Sequence, residues 1–231
     1  AYQDLSERLG EGIELVATPG MVETLRLVKD EHELAIMRRV IGMADDVLAM
    51  VQRVLVPGAL ERDVATQIEH EFRTLGAQKT SFDAIVATGT NGAMPHHLPD
   101  DTVVRAGEPV VVDIGGIVDG YCSDITRTFC PGGRTARFDE IYSIVLEAEE
   151  AAIDGVAAGM GGREVDALAR AVIAEAGYGD YFGHGTGHGV GIDVHEAPRL
   201  AETATDTLQA GMVHSIEPGI YLPNWGVVRI E

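Results

Sequence analysis

The sequence predicts an α+β domain in which a helix–helix–strand unit occurs twice, related by a pseudo-two-fold axis. Helical patterns precede strand-like segments in the first half, and the same order recurs after about residue 138. Segment 106–115 lines up with 210–219 at an offset of 104 residues, and 64–76 lines up with 165–177 at an offset of 101. A duplication would place Asp113 and Glu217 in equivalent, facing positions. Chance similarity of two strands that follow Ala-Gly turns is the alternative.

Two helices are predicted first. One covers residues 30–55, where Asp30 and Glu33 match a capping box and Pro57-Gly58 ends the pattern. Its apolar residues at helical spacing are Leu34, Met37, Ile41, Leu48 and Val51. The second helix runs from Glu61 to Leu75 and ends at Gly76.

Residues 82–130 have β character, most clearly at 103–104, 110–112 and 125–129. Two further helices are predicted near 138–158 and 163–176. Strand and glycine-rich loop are predicted for most of 181–231.

Composition excludes several classes of protein. The net charge of -20 argues against nucleic-acid binding, which requires clustered basic residues. The apolar runs are too short to span a membrane, and the first residues do not resemble a signal peptide. With only two cysteines, Cys122 and Cys130, we expect a reducing cytoplasm and two buried thiols in a strand rather than a redox pair.

Asp113 and Asp124 are predicted to share one face of a hairpin. Asp113 ends a run of valines, where a buried carboxylate needs a partner. Asp119-Gly120 indicates a two-residue turn, so that Gly115 would pair with Asp124. The two aspartates would then be diagonal neighbours about 7–8 Å apart at the backbone, within reach of a bridging cation. The alternative is a pair of unrelated surface acids.

Glu217 and Glu231 are the corresponding pair in the second half. Glu231 matches Asp124 only if the second loop, within residues 221–226, carries three extra residues. A four-residue loop at 223–226 would place the two glutamates on opposite faces. We therefore expect a loop of odd length or a β-bulge.

Imidazoles are supplied by the glycine-rich segment 183–196, whose glycines allow close backbone approach to a site. It contains His184, His188 and His195, and three histidines so close together favour a functional cluster over a packed residue. The pair His96-His97 is a further source. The other histidines are His32 and His70, predicted at helix surfaces, and His214, for which packing and a supporting role in the site stay open.

Four carboxylates and one imidazole form a hard, mainly oxygen donor set. Such a set suits Mn²⁺, and less clearly Co²⁺, Fe²⁺ or Zn²⁺. Because the anions are too many for one ion, we predict two divalent metal ions about 3.5–4 Å apart.

At these residues the sequence resembles the methionine aminopeptidase, aminopeptidase P and prolidase family (M24), over about residues 30–231. The resemblance implies the pita-bread fold with a curved antiparallel sheet. It also implies that the five metal ligands are Asp113, Asp124, His188, Glu217 and Glu231. Alternatives are a methionine-aminopeptidase-like enzyme, or a non-catalytic binding module on the same fold.

Several motifs resemble the proline-specific branch, which contains Xaa-Pro dipeptidases and Xaa-Pro aminopeptidases. They are Pro95-His96-His97, the segment 192–196, the segment 217–221 and Arg229-Ile230-Glu231. In that branch His96 and His195 would polarise the substrate or stabilise the tetrahedral intermediate, and Glu217 would shuttle protons. His184, Tyr221 and Arg229 would lie on the substrate side or support the site. Short proline-containing peptides are the implied substrates.

The resemblance also sets the expected domain organisation. Residues 1–29 are expected to be the tail of an N-terminal domain or a linker. Residues 30–231 are expected to be the catalytic domain, truncated at its C-terminus. Family members of this branch carry an N-terminal domain that helps to form the oligomer, so we expect a homodimer for the full-length protein.

Overall fold

A computed structural model describes residues 2–9, 12–94 and 97–231 of the chain. Its α-helices pack mainly as two consecutive pairs, α3 with α4 and α5 with α6. The α-helices are α1 (Tyr2–Leu9), α2 (Met21–Leu27), α3 (Glu31–Val54), α4 (Glu61–Thr74), α5 (Ala136–Gly155) and α6 (Gly162–Glu175). Two short 3₁₀ helices cover Gly89–Ala93 and Gly179–Tyr181.

In the part of the chain that the structure describes, ten short strands form antiparallel pairs. They are β1 (Lys79–Thr80), β2 (Ile85–Thr88), β3 (Val110–Ile114), β4 (Gly116–Val118), β5 (Tyr121–Cys122), β6 (Ile125–Phe129), β7 (Gly187–Gly189), β8 (Glu196–Leu200), β9 (Gly219–Leu222) and β10 (Gly226–Arg229). Strands β2, β3 and β6 form one sheet in that order, and β1, β4 and β5 form another. β7 pairs with β8, and β9 pairs with β10.

Sequence features define the helix ends. The Asp30 side chain accepts a hydrogen bond from the Glu33 amide, and the Glu33 side chain accepts one from the Asp30 amide, so the predicted capping box is present. Gly76 follows α4 with φ of +101°, a conformation that favours glycine. Of the predicted apolar positions of α3, Met37, Leu48 and Val51 are buried and Leu34 is partly buried, whereas Ile41 stays exposed.

The predicted duplication is visible in the packing. α4 and α6 begin 101 residues apart, as the sequence offset requires. Each half encloses its own apolar cluster, one between α3, α4 and the β2–β3 sheet, the other between α5, α6 and the β9–β10 hairpin. Equivalent buried residues face these clusters, such as Phe72 in the first half and Ile173 in the second.

Backbone pairing beside the two acidic positions follows the repeat as well. Asp113 pairs with Ile85 of β2. In the second half, the Glu217 amide donates to the Thr186 carbonyl at 2.7 Å. Ile85 and Thr186 are 101 residues apart, the offset of the repeated helices, so Asp113 and Glu217 have equivalent backbone partners.

Two expectations about local structure were wrong. Residues 103–104 form no strand: Val103 makes one bridge with Leu60, and the Val104 amide donates to the Ala59 carbonyl, so the segment pairs with the loop before α4. Cys122 is buried in β5 as expected, but Cys130 is only partly buried and follows β6. Pro131 comes next and has no amide hydrogen with which to extend that strand.

Residues 12–29 lead along the surface into α3. Neither α1 nor α2 buries a residue, although Lys29 is 5% exposed and its amide donates to the Gly211 carbonyl. The described part of the chain has no helix with the length and apolar character needed to cross a bilayer.

Candidate metal centre

The first pair of carboxylates lies where the hairpin analysis places it. Val118 pairs with Tyr121 across the turn, in which Asp119 and Gly120 have φ of 48° and 84°. Farther along, Asp113 pairs with Thr126, so Asp124 is its diagonal neighbour. Their carboxylates and that of Glu231 offer oxygens that all lie within 4.8 Å of one another.

The second pair depends on the length of the β9–β10 loop. Leu222 pairs with Gly226, which leaves three loop residues, 223–225. The loop therefore has an odd number of residues, as expected if Glu217 and Glu231 are to lie on the same face. The Ile230 amide donates to the Pro218 carbonyl at 3.4 Å, so Glu217 and Glu231 follow as opposite residues on one face.

The two halves are joined through β6 and β10. The Glu231 amide donates to the Thr126 carbonyl at 3.1 Å. The Thr128 hydroxyl donates to the Arg229 carbonyl and accepts from the Arg229 amide. Asp113 and Glu231, from opposite halves, are thus both adjacent to Thr126, whose hydroxyl donates to Glu231 Oε2 at 3.1 Å. The acidic positions of both repeats therefore face one common space.

His188 completes the cluster from β7. Its Nδ1 lies 3.0 Å from the Gly189 carbonyl, and because a carbonyl only accepts, Nδ1 carries the proton and Nε2 faces the carboxylates. Nε2 is 3.1 Å from Glu217 Oε1 and 3.6 Å from Asp124 Oδ2. The neighbouring glycines are required by space, since a Cβ at Gly187 would lie 2.2 Å from the Ser215 carbonyl oxygen.

Close contact with His188 makes the electrostatics of Glu217 unlike those of the other acids. Burial alone would raise the pKa of Glu217, but the hydrogen bond from His188 and nearby positive charge outweigh it, so its pKa is lowered. Burial likewise acts to lower the pKa of His188, yet the hydrogen bond and charge of Glu217 raise it overall. Ser215 Oγ also donates to Glu217 Oε1 at 3.0 Å. Glu217 is therefore ionised and oriented.

The remaining carboxylates resist ionisation. Burial raises the pKa of Asp124 and of Glu231 well above the usual range, and repulsion from neighbouring carboxylates adds to the effect. Burial also raises the pKa of Asp113, although the positive charge of Arg229 opposes it. A cation placed among these groups would remove both the repulsion and the cost of burial.

Two carboxylate oxygens without hydrogen-bond partners in the described part of the chain also indicate that a cation fits this cluster. Asp113 Oδ1 and Glu231 Oε1 are buried and have no hydrogen-bond partner among the residues that the structure describes. A buried carboxylate oxygen without a donor is costly. Two unsatisfied oxygens beside Asp124, Glu217 and the Nε2 of His188 form a donor set suited to divalent cations.

A buried hydrogen-bonded chain connects the acids to His184. Arg229 forms a salt bridge with Asp113, and its Nε donates to Thr126 Oγ1 at 3.1 Å. Its Nη1 donates to the Tyr221 hydroxyl at 3.2 Å, which lies 3.0 Å from His184 Nε2. Burial lowers the pKa of His184 and raises that of Tyr221, so both are neutral near pH 7. Arg229 is thus an interior residue of the cluster.

His195 lies at the open side of the cluster. Its ring centroid is 4.2 Å from that of His188, and a ring nitrogen lies within 4.8 Å of donor atoms of His188 and Asp124. Its pKa is lowered by partial burial and by the charge of His188. His96, the other predicted catalytic histidine, lies outside the described residues.

Glu61 and Lys29 are among the buried ionisable residues that sequence reasoning missed. Glu61, the first residue of α4, is 0% exposed and accepts hydrogen bonds from the Thr88 amide at 2.6 Å and from Asn91. Its Oε2 is 2.6 Å from Nε2 of His97, the second histidine of the pair His96-His97. Glu61 begins α4 and Lys29 lies just before α3, and a charged residue near the start of a helix gives no signal of burial in the sequence.

Of the remaining histidines, His214 is beside the site, where it forms a β-bridge with Gly189. His32 and His70 are exposed on helices, as predicted. Nδ1 of His214 lies 3.1 Å from the Ser215 carbonyl, and burial lowers its pKa.

Comparisons with known proteins place this geometry in a family. The model of metallopeptidase family M24 matches residues 35–231. The chain is 44% identical over 218 residues to the uncharacterized peptidase YqhT of Bacillus subtilis, covering 94% of the chain and 62% of the relative. It is 41% identical over 211 residues to the Xaa-Pro dipeptidase of Pyrococcus furiosus, covering 91% and 61%.

The solved structures agree on the fold. The chain superposes on the Xaa-Pro dipeptidase from Bacillus anthracis with a TM-score of 0.95 at 43% identity, covering all of this chain and 65% of the other. The expected pita-bread fold is thereby confirmed. The chain spans about three fifths of the length of the curated relatives it matches. With the family model matching from residue 35 to residue 231, the chain belongs to metallopeptidase family M24.

Proposed function

We propose that the protein hydrolyses the peptide bond before proline in short peptides, using two divalent cations. The proposed ligands are Asp113, Asp124, His188, Glu217 and Glu231. The observation that carries this proposal is the convergence of four carboxylates and one imidazole from both halves on one space that holds two orphaned, buried oxygens. Bound cations would lower the pKa of a water molecule and polarise the scissile carbonyl group.

Glu217 is the proposed proton carrier. Its lowered pKa keeps it ionised, and its Oε1 already accepts from Ser215 and faces His188. Oε2 would therefore accept the proton of the attacking water. The same oxygen would deliver it to the proline nitrogen as the amide bond breaks.

The histidines are proposed to act on the substrate. Because its pKa is lowered, His195 is a neutral imidazole near pH 7 and would donate an N–H to the oxygen that becomes negative in the tetrahedral intermediate. His96 is proposed for a similar part. His184, held by the Tyr221 hydroxyl and through it by Arg229, would line the proline side.

Names of the relatives support the choice of substrate. Xaa-Pro dipeptidase is the name of the relatives from Pyrococcus furiosus and Pyrococcus horikoshii. An X-Pro aminopeptidase from Thermotoga maritima also superposes, with a TM-score of 0.94 at 36% identity. Manganese, suited by the oxygen-rich donors, is the proposed metal. A cytoplasmic location and a homodimeric full-length protein complete the proposal.

A peptide panel tests this function. Full-length protein loaded with Mn²⁺ is incubated with Gly-Pro, Gly-Pro-Ala and Met-Ala peptides, and amino acids are quantified. Release of glycine from either proline peptide supports the proposal, and the preferred length separates dipeptidase from aminopeptidase. Release of methionine alone would indicate a methionine aminopeptidase instead. Failure to hydrolyse any of them by protein with full metal content would support a binding module.

Asp113→Ala is the matched variant. It removes one buried carboxylate and should abolish both hydrolysis and the normal metal stoichiometry, while circular dichroism shows intact helices. Normal metal content by elemental analysis in the folded variant would exclude Asp113 as a ligand.

A further inference from the structure

The segment before α3 carries a buried cation that contacts the loop of His195. The Lys29 side chain is 1% exposed, and its Nζ lies 2.7 Å from Glu196 Oε1. Arg26, at the end of α2, donates to Glu196 Oε2 at 2.6 Å and to Asp193 at 2.7 Å. A buried ammonium is costly unless paired, so this contact is a defined part of the fold.

Glu196 in turn holds the loop 191–196 together. Its carboxylate lies so close to Gly191 that a Cβ there would be 2.5 Å from Oε1. Its Oε2 accepts from the Asp193 amide at 3.4 Å, and the Gly191 amide donates to the Asp193 carbonyl at 3.1 Å. The Glu196 carboxylate therefore contacts both this loop and the cations Arg26 and Lys29.

His195 directly precedes Glu196 in this loop. Its imidazole lies against the ring of His188 and near Asp124, while the residue itself is exposed. A side chain with so little support of its own takes its direction from the backbone that carries it. That backbone is held by the Glu196 side chain and hence by Lys29, together with the pairing of Glu196 with Gly189 and the Cys122 amide, which donates to the Gly191 carbonyl at 2.8 Å.

We propose that Lys29 is a positioning residue for His195. Its ammonium holds Glu196, and Glu196 fixes the loop 191–196 so that the imidazole points toward the candidate metal centre. The catalytic part of this inference rests on the proposed function. The structural part does not, because it concerns the order of the loop.

Lys29→Met is the informative variant, since methionine keeps the aliphatic length and Arg26 still compensates the Glu196 charge. In full-length, Mn²⁺-loaded protein, we expect kcat for an Xaa-Pro peptide to fall about tenfold or more, because small misplacements of a catalytic group are costly. KM and metal content should not change. Lys29→Arg keeps the charge and should restore most of kcat. Arg134→Met, which removes a cation from an exposed pair with Asp139, is the control and should behave as wild type.

Hydrogen exchange gives a readout that does not depend on activity. In Lys29→Met, the amides of residues 191–196 should exchange faster, with or without metal, while those of α5 do not. Glu196→Gln removes the charge that Lys29 holds and should have the same effect, which keeps the test usable if Lys29→Met folds poorly. Unchanged exchange in a folded variant, or wild-type kcat in Lys29→Met, would overturn the proposal. If wild-type protein hydrolyses no Xaa-Pro peptide, the proposed function fails, and the exchange data still decide the role of Lys29.

Discussion

Removal of the Arg229 guanidinium should destabilise the metal-free protein strongly. Arg229 and Asp113 form a buried salt bridge in which the side chains are 13% and 12% exposed. Arg229→Met leaves the carboxylate without its partner, which typically costs about 3–5 kcal/mol in a buried pair. For a chain of this size, that corresponds to a fall in Tm of roughly 10 °C.

The expected loss comes from the interaction between Arg229 and Asp113, so a double-mutant cycle tests it. Arg229→Met combined with Asp113→Asn removes the charge of both partners and should recover on the order of 2 kcal/mol of the loss. The control is Arg39→Met, which breaks an exposed pair with Asp119, 53% and 61% exposed, and should cost less than about 1 kcal/mol.

The free energies of unfolding and the Tm values of the single and double variants are measured by thermal and urea unfolding in the presence of a chelator. A loss below about 1 kcal/mol for Arg229→Met, comparable to an exposed pair, would refute the assignment of Arg229 as the countercharge of Asp113. Strictly additive effects in the double variant would refute the coupling.

Two further outcomes follow from the electrostatics of the site. His195→Ala should lower kcat about a hundredfold with unchanged metal content, because a group that stabilises the intermediate acts in the transition state; loss of the metals instead would make His195 a ligand. Metal affinity should rise with pH: Asp124 and Glu231 have raised pKa values, so protons occupy them over a wider range and compete with the cation until the pH exceeds those values. Calorimetric Mn²⁺ titrations at several pH values check this, and an affinity that is independent of pH would contradict it.

Local signals in the sequence predicted the parts of the fold that short-range chemistry determines. The capping box at Asp30 gives the start of α3, and Asp119-Gly120 gives the register that brings Asp113 and Asp124 to one face. The helices α1 and α2 were not predicted, because they bury no residue and leave no pattern tied to a core.

Distant contacts that neither the repeat nor a motif indicates could not be predicted. Lys29 and Glu196 are 167 residues apart, and nothing local indicates that either is buried. The burial of Glu61 against His97 likewise depends on how the loop after β2 packs on α4. The loop after β9 was predicted only to be odd in length or bulged; left-handed backbone at Asn224, with φ of 64°, accompanies its closure in three residues.

The three residues 223–225 also limit how this region can change in length. Ile230 is 3% exposed in the apolar cluster of the second half, and Glu231, the next residue, faces the acids. Inserting or deleting one residue in the loop would exchange the two faces, bringing isoleucine among the carboxylates and a glutamate into the core. Homologous proteins should therefore differ here in steps of two residues or carry a compensating bulge. Engineered loop libraries at this position should use the same spacing.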